Sequence, residues 1–215
     1  MYPFLALEGC DGAGKTTIVR LISQALKQYN LPVFAVGQHS WLHLESSRVI
    51  AKVRAGVANF SADIISQAYR LDKKQHYKFN IAPAQSQAIV ISDRWILSDA
   101  VYQEVLNGMR AEDTLATYMR EQVPYPSMIL YVTCDVSGAY SRILSRGKAS
   151  RHYERPAELS QVCITYERIF QKGILPNYVK LLRIENQKKM DDLNIILDEY
   201  VVPNILDLVR CYNES

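Results

Sequence analysis

The sequence predicts an α/β fold of three layers, a five-stranded parallel sheet flanked by helices. Three observations point there. Five short apolar runs alternate with segments of helical spacing, the order in which parallel strands and crossover helices follow one another. The first run, Phe4-Leu5-Ala6-Leu7, passes through Gly9-Cys10-Asp11-Gly12-Ala13-Gly14-Lys15-Thr16 into a stretch with Ile18, Leu21, Ile22, Ala25 and Leu26 on one helical face. The third run closes with Ser92-Asp93-Arg94, polar residues at the carboxyl end of a strand, where open α/β sheets bind ligands.

Taken in order, the elements follow from punctuation and periodicity. Leu31-Pro32-Val33-Phe34-Ala35-Val36-Gly37 reads as the second strand, ending at a glycine. Residues 44–57 and 63–77 read as two helices joined around 56–59, and Ala88-Ile89-Val90-Ile91 as the third strand. Helices are expected near 98–107 and 112–121, before Pro124 and Pro126 break the chain. Met128-Ile129-Leu130-Tyr131-Val132 is the fourth strand, and Asp135-Val136-Ser137 opens a helix carrying Tyr140, Ile143 and Leu144. The polar, basic stretch 145–155 separates it from a helix over 159–172. The fifth strand is 178–184, and a last helix starts at Met190, which Pro203 should kink or interrupt. No repeat, low-complexity run or linker divides residues 1–215, so a single domain is expected.

The 215 residues are 48% hydrophobic and 22% charged, an ordinary globular balance. A net charge of +3 is too small to argue for nucleic acid or membrane binding, and no apolar stretch reaches the length of a membrane span. The chain shows no basic leader, and Cys10, Cys134, Cys163 and Cys211 lack metal-ligand spacing. These features fit a reduced, cytoplasmic compartment. Cys134 and Cys163 read as small core residues and Cys10 as loop filler.

The glycine-rich string has the P-loop form. Glycines let backbone amides approach phosphates, and the following helix N-terminus adds its partial positive charge. Lys15 should reach the β- and γ-phosphates of a nucleoside triphosphate, and the Thr16 hydroxyl should ligate magnesium. Asp93 is the second magnesium ligand expected at a neighbouring strand end, with a simple strand-end cap as the plainer reading. Arg94 projects from the same crevice and suits a phosphate clamp, because a guanidinium bonds phosphate oxygens in pairs. Arg142, Arg146, Lys148 and Arg151 cluster on a helix end and the loop beyond it. They form either a solvated basic turn or a lid over residues 145–156 that closes on the triphosphate and excludes water.

Four landmarks in order then resemble the thymidylate kinase family of nucleoside monophosphate kinases. They are Glu8-Gly9-Cys10-Asp11-Gly12-Ala13-Gly14-Lys15-Thr16-Thr17, Ala68-Tyr69-Arg70, Asp93-Arg94-Trp95-Ile96-Leu97-Ser98-Asp99-Ala100-Val101-Tyr102-Gln103, and the lid from Arg142 to Glu154. Neutral Gly12 and Ala13 beside a basic lid resemble the bacterial-type subgroup. The resemblance implies ATP and Mg2+, small nucleotide partners and a possible homodimer. It places Asp11 near the acceptor sugar and phosphate, Arg70 at the pyrimidine edge and Arg94 on the acceptor phosphate. Tyr102 would press on the sugar, Asp99 and Gln103 would border the base, and Asn186 would lie near adenine. Arg146 and Arg151 match the lid arginines best, with Arg142 a third candidate.

Two positions depart from the family pattern. The family's Thr-Arg-Glu-Pro-Gly-Gly after the second strand is here Val36-Gly37-Gln38-His39-Ser40-Trp41, without its arginine. Ser66 stands where the family usually stacks a phenylalanine on the base. The expected reaction is transfer of the ATP γ-phosphoryl group to a deoxynucleoside monophosphate, dTMP giving dTDP first among them. A deoxynucleoside kinase of related fold and a non-catalytic nucleotide-binding paralogue stand as alternatives.

Overall fold

The computed structural model describes residues 1–57, 59–147, 151–186 and 190–214. Strand β1 (Phe4–Glu8) is followed by helix α1 (Lys15–Lys27), β2 (Val33–Val36), α2 (Leu44–Ala55) and α3 (Ala62–His76). Next come a short α4 (Ala82–Ala84), β3 (Ile89–Asp93), α5 (Ile96–Asn107) and α6 (Ala111–Arg120). The second half holds β4 (Met128–Thr133), α7 (Val136–Ser145), α8 (Pro156–Gln171), β5 (Lys180–Glu185), α9 (Met190–Ile196) and α10 (Val202–Glu214).

The five strands form one parallel sheet in the order β2-β3-β1-β4-β5. Every residue of β1 is buried, and β3 and β4 are buried along nearly all their length. That explains why the three central strands read as continuous apolar runs. The edges differ: β2 leaves Phe34 exposed, and β5 alternates buried Leu182 and Ile184 with exposed Lys180 and Arg183. Helix α1 lies against β1, β2, β3 and α10, while α5 packs on α6 and α8, and α7 on α8.

Local chemistry sets the helix ends. The Ser61 and Asp135 side chains cap α3 and α7 by accepting from Ile64 N and Gly138 N. Pro203 interrupts the last helix in register but not in course. A π turn, Leu197–Val201, joins α9 to α10, and a second, Tyr77–Ile81, joins α3 to α4 just before Pro83. In both places the proline lacks an N–H and its ring crowds the carbonyl four residues back, so the turn widens.

The register decides where chemistry can happen. Leu7 lies opposite Asp93 in the β1–β3 pair, so the loops leaving at Gly9 and Arg94 emerge side by side. Thr133 pairs with Glu185, and Asn186 N donates to Thr133 O, bringing the loop after β5 to the same end of the sheet.

Candidate active site

The loop between β1 and α1 is built for close approach. Gly12 and Gly14 hold φ of +77° and +93°, and a Cβ on either would sit 2.2 Å from Ala139 O or 2.3 Å from Asn186 Nδ2. Around them, Arg142 donates to Gly12 O at 2.8 Å and to Asn186 O at 2.9 Å, and Asn186 Nδ2 donates to Ala13 O at 2.7 Å. Arg142 therefore braces the loop from α7. Lys15 Nζ folds back onto Gly9 O at 3.2 Å and Cys10 O at 2.7 Å, and burial lowers its pKa. Cys10 is buried; its bond with Cys134 pulls the thiol pKa down, but one with Cys163 and burial push it up to about 11. The thiol is protonated at neutral pH and poorly reactive.

Thr16 Oγ1 donates to Asp93 Oδ2 at 2.6 Å. This hydroxyl–carboxylate pair offers hard oxygens beside a loop whose backbone can cradle phosphates. It fits Mg2+, which takes one or two protein oxygens and completes its shell with water and phosphate.

Arg94 is the hinge of the site. Its φ of +81° lies in the left-handed region, an uncommon place for a long side chain. Arg94 N donates to Leu7 O at 2.9 Å and Ser92 Oγ to Arg94 O at 2.6 Å, which hold the strained backbone in place. The side chain donates to Gly9 O (2.8 Å), Ser98 Oγ (3.1 Å), Asp11 Oδ1 (3.0 Å) and Tyr102 OH (3.2 Å). Tyr102 OH in turn donates to Asp11 Oδ2 at 2.6 Å. Burial alone would raise the Asp11 pKa, but Arg94 and Lys15 outweigh it and hold the carboxyl well below its usual range. Beneath, buried Glu8 accepts from Trp95 N, Ser98 Oγ and Tyr166 OH, and burial raises its pKa.

Two cavities meet at this cluster. One is lined by Gly12, Gly14, Lys15, Thr16, Thr17, Asp93, Arg142 and Arg146 together with Asp11 and Arg94. The other is lined by Gln38, Val53, Arg54, Tyr69, Tyr102, Leu106, Arg151 and Tyr153, again with Asp11 and Arg94. The first offers cations and backbone to a triphosphate; the second offers aromatic walls and arginines to a flat, anionic molecule.

The structure brings most of the expected residues to these cavities, but not all. Ser66 is buried on α3, where its Oγ accepts from Arg70 at 3.3 Å, and Arg70 pairs with Glu121 at 3.1 Å. Neither lines either cavity. Asp99 is fully buried between Lys73 Nζ (3.0 Å), Tyr118 OH (2.8 Å) and Gln38 Nε2 (2.8 Å), so it meets the cavity only through Gln38. Gln103 is buried with neither amide atom bonded among the described residues, and it too lies outside both cavity walls. His39 donates to Asp72 at 3.1 Å, and burial first, then Lys73, pushes its pKa down to about 4, so it is neutral.

The lid also takes shape. Glu154, buried, accepts from Arg146 Nη2 at 3.0 Å and Arg151 N at 2.8 Å. Arg151 Nη1 donates to Tyr153 OH at 3.0 Å, and the Tyr153 ring meets Tyr102 edge-on at 5.8 Å. Lys148, the other expected lid cation, lies outside the described residues.

Sequence reasoning missed Arg54 and Tyr153 as cavity residues, whereas Tyr69 belongs to one of the four landmarks. Arg54 reads in sequence as an ordinary cation in the last turn of a helix, where the dipole favours it. Only the folding of α2 against α3 carries it to the cavity.

No helix among the described residues is long and apolar enough to cross a membrane. The chain is similar to a thymidylate kinase of Leptospira interrogans, 25% identical over 88% of this chain and 89% of the relative. A thymidylate kinase of Clostridium novyi is 28% identical over 91% of this chain and 93% of its own length. One from Shouchella clausii is 29% identical over 86% and 84%. The family model described as thymidylate kinase matches residues 7–190, from β1 to the start of the last helices, and so covers the phosphate loop, Asp93-Arg94 and the lid together. With that match laid over the two joined cavities, the chain belongs to the thymidylate kinase family.

Proposed function

We propose that this chain transfers the γ-phosphoryl group of ATP to dTMP, giving dTDP and ADP. The observation that carries the reading is that the cavity at the phosphate loop and the tyrosine-walled cavity share Asp11 and Arg94 at their junction. A phosphoryl group passing from one to the other crosses that junction. Charge spreads over the transferred group in the transition state, so fixed cations at the crossing point lower the barrier.

The residues divide the work. Lys15 leaves the carbonyls of Gly9 and Cys10 for the β- and γ-phosphates, and the backbone from Gly9 to Thr17 cradles them. Thr16 and Asp93 would hold Mg2+, which would supply positive charge to offset that of the phosphates. Arg94 holds the acceptor phosphate, oriented by Asp11 and Tyr102, while Tyr102 crowds the sugar. Arg146 reaches the triphosphate side and Arg151 the acceptor side, so the lid serves both. Asn186 supports the loop beside the adenine end. Ser66, Arg70, Asp99 and Gln103 line neither cavity, so their contact with the base rests on the resemblance alone and needs α3 and α5 to shift as the acceptor enters.

The acceptor oxygen is already anionic at neutral pH, so no general base is needed. A deoxynucleoside kinase would need one for its hydroxyl acceptor, and His39, with its pKa pushed down to about 4, is a weak candidate. The resemblance further supports one kinase domain over residues 1–215 with its lid at 145–156, a cytoplasmic location and a homodimer, which sedimentation would check. The deciding experiment is ADP release with ATP and magnesium against dTMP, dUMP, dCMP and thymidine. Fastest turnover with dTMP is expected; turnover with thymidine alone overturns the reading.

A further inference from the structure

The loop after β2 supplies no cation to the acceptor cavity, since Gln38 is neutral and buried His39 is unprotonated at neutral pH. A cation reaches the same place from elsewhere. Arg54, in the last turn of α2, lines the tyrosine-walled cavity with Arg94 and Arg151. It also lines the adjoining cleft that holds Thr16, Asp93 and Arg94. It therefore stands where the two substrates meet.

Its partners are unusual for a half-buried arginine. Arg94 is paired with Asp11, Arg146 with Glu154 and Arg70 with Glu121. Among the described residues Arg54 makes no ion pair within 4.0 Å and donates to a neutral amide instead, Gln38 Oε1 at 3.3 Å. That amide cannot flip freely. Gln38 Nε2 donates to Asp99 Oδ1 at 2.8 Å, and Asp99 is itself locked by Lys73 and Tyr118, so the amide oxygen is turned toward Arg54. Gln38 orients the guanidinium without neutralising it.

We propose that Arg54 binds the 5′-phosphate of the acceptor, replacing from α2 the arginine that the second-strand loop lacks. The proposal rests on the dTMP kinase reading. Asp11 offsets one of the three guanidinium charges lining this cavity, so a net positive charge remains for an anion to meet. A phosphate monoester does so, with oxygens enough for Arg54, Arg94 and Arg151 at once. The nucleobase would meet Val53, Leu106 and the tyrosines, which offer apolar and aromatic surface rather than charge.

Calorimetric titration of the whole chain with dTMP and with thymidine tests this, because the two differ only by the phosphate. In Arg54→Met, dTMP affinity should fall by roughly 10- to 100-fold, the range for one charge-assisted bond, with thymidine affinity unchanged. An unaltered circular dichroism spectrum and urea midpoint certify the fold. Arg54→Lys should recover part of the loss, because it restores the charge without the fork. Equal losses for dTMP and thymidine would make Arg54 a base or sugar contact and overturn the proposal. So would unaltered dTMP binding. Wild-type turnover across the monophosphate panel stands apart: its failure would sink the kinase reading, while the Arg54 titrations speak to the phosphate contact alone.

Discussion

Arg94 and Asp11, 83 residues apart in sequence, meet in a 3.0 Å ion pair at the junction of the two cavities. Both are nearly buried, and the pair leaves other faces of the guanidinium on Gly9 O, Ser98 and Tyr102. Arg94 is thus held rigidly before any substrate arrives, so little side-chain ordering is left to oppose binding.

Replacing Arg94 with alanine should therefore lower kcat/KM by about 10³-fold or more, with ATP affinity changed by no more than about threefold. Arg94→Lys should remain impaired, because an ammonium cannot reproduce the four-way fork. Steady-state kinetics and an ATP titration would check both, and retained activity in Arg94→Ala would remove it from the site.

Gly12→Ala should destabilise the chain by about 1–3 kcal/mol from the left-handed backbone alone, and more from the contact with Ala139 O. The added methyl meets backbone rather than a mobile side-chain end, so α7 or the loop must shift. Urea unfolding and ATP affinity should both show the damage. A variant as stable and as tight-binding as the parent would contradict the close approach.

Glu154→Gln should weaken the lid and leave the core alone. Glu154 holds Arg146 by its side chain and Arg151 by its backbone, so it acts as a positioning residue. We expect kcat to fall by roughly 10-fold, the scale of a misplaced transition-state cation, with KM for ATP little changed. Uncoupled ATP hydrolysis should rise relative to dTDP formation as water enters. A loss in thermal stability with unaltered kcat would assign Glu154 a structural role instead.

Acid should loosen the packing of the loop after β2 on α3, where His39 meets Asp72. His39 titrates at about 4 when folded and at 6.5 in an unperturbed chain, so between those values only the unfolded state takes up the proton. Stability therefore falls as pH drops from 6.5 toward 4, by up to about 3 kcal/mol. Asp72, held below its ordinary 3.8 against burial by His39 and Lys73, adds a further loss at still lower pH. Urea midpoints measured across this range should flatten in His39→Asn; an unchanged slope would exclude His39 as the source.

The sheet was legible because central strands buried on both faces write themselves as apolar runs, and β1 and β4 do so within one residue of their observed ends and β3 within two. The phosphate loop and Asp93 were legible because they follow strands directly, and the backbone delivers them to the site without help from distant contacts. The roles read for Asp99, Arg70 and Ser66 rested on their place in a string, and a string does not say which way a helical side chain turns. Asp99 turns into the core because Lys73, fully buried, needs a carboxylate 3.0 Å away.

By itself, then, the sequence determined the parallel α/β frame, the glycine-shaped cradle and the cations waiting beyond α7. Those depend on neighbours along the chain: strand periodicity, left-handed glycines and a helix N-terminus. Only the tertiary structure decided that Arg54, rather than a loop arginine, faces the acceptor cavity and that Gln38 aims it. The same holds for Asp11 closing on Arg94 across 83 residues. Such pairings follow from which helices bury which faces and where a charge can find a partner out of water, and neither is written in the spacing of a single segment.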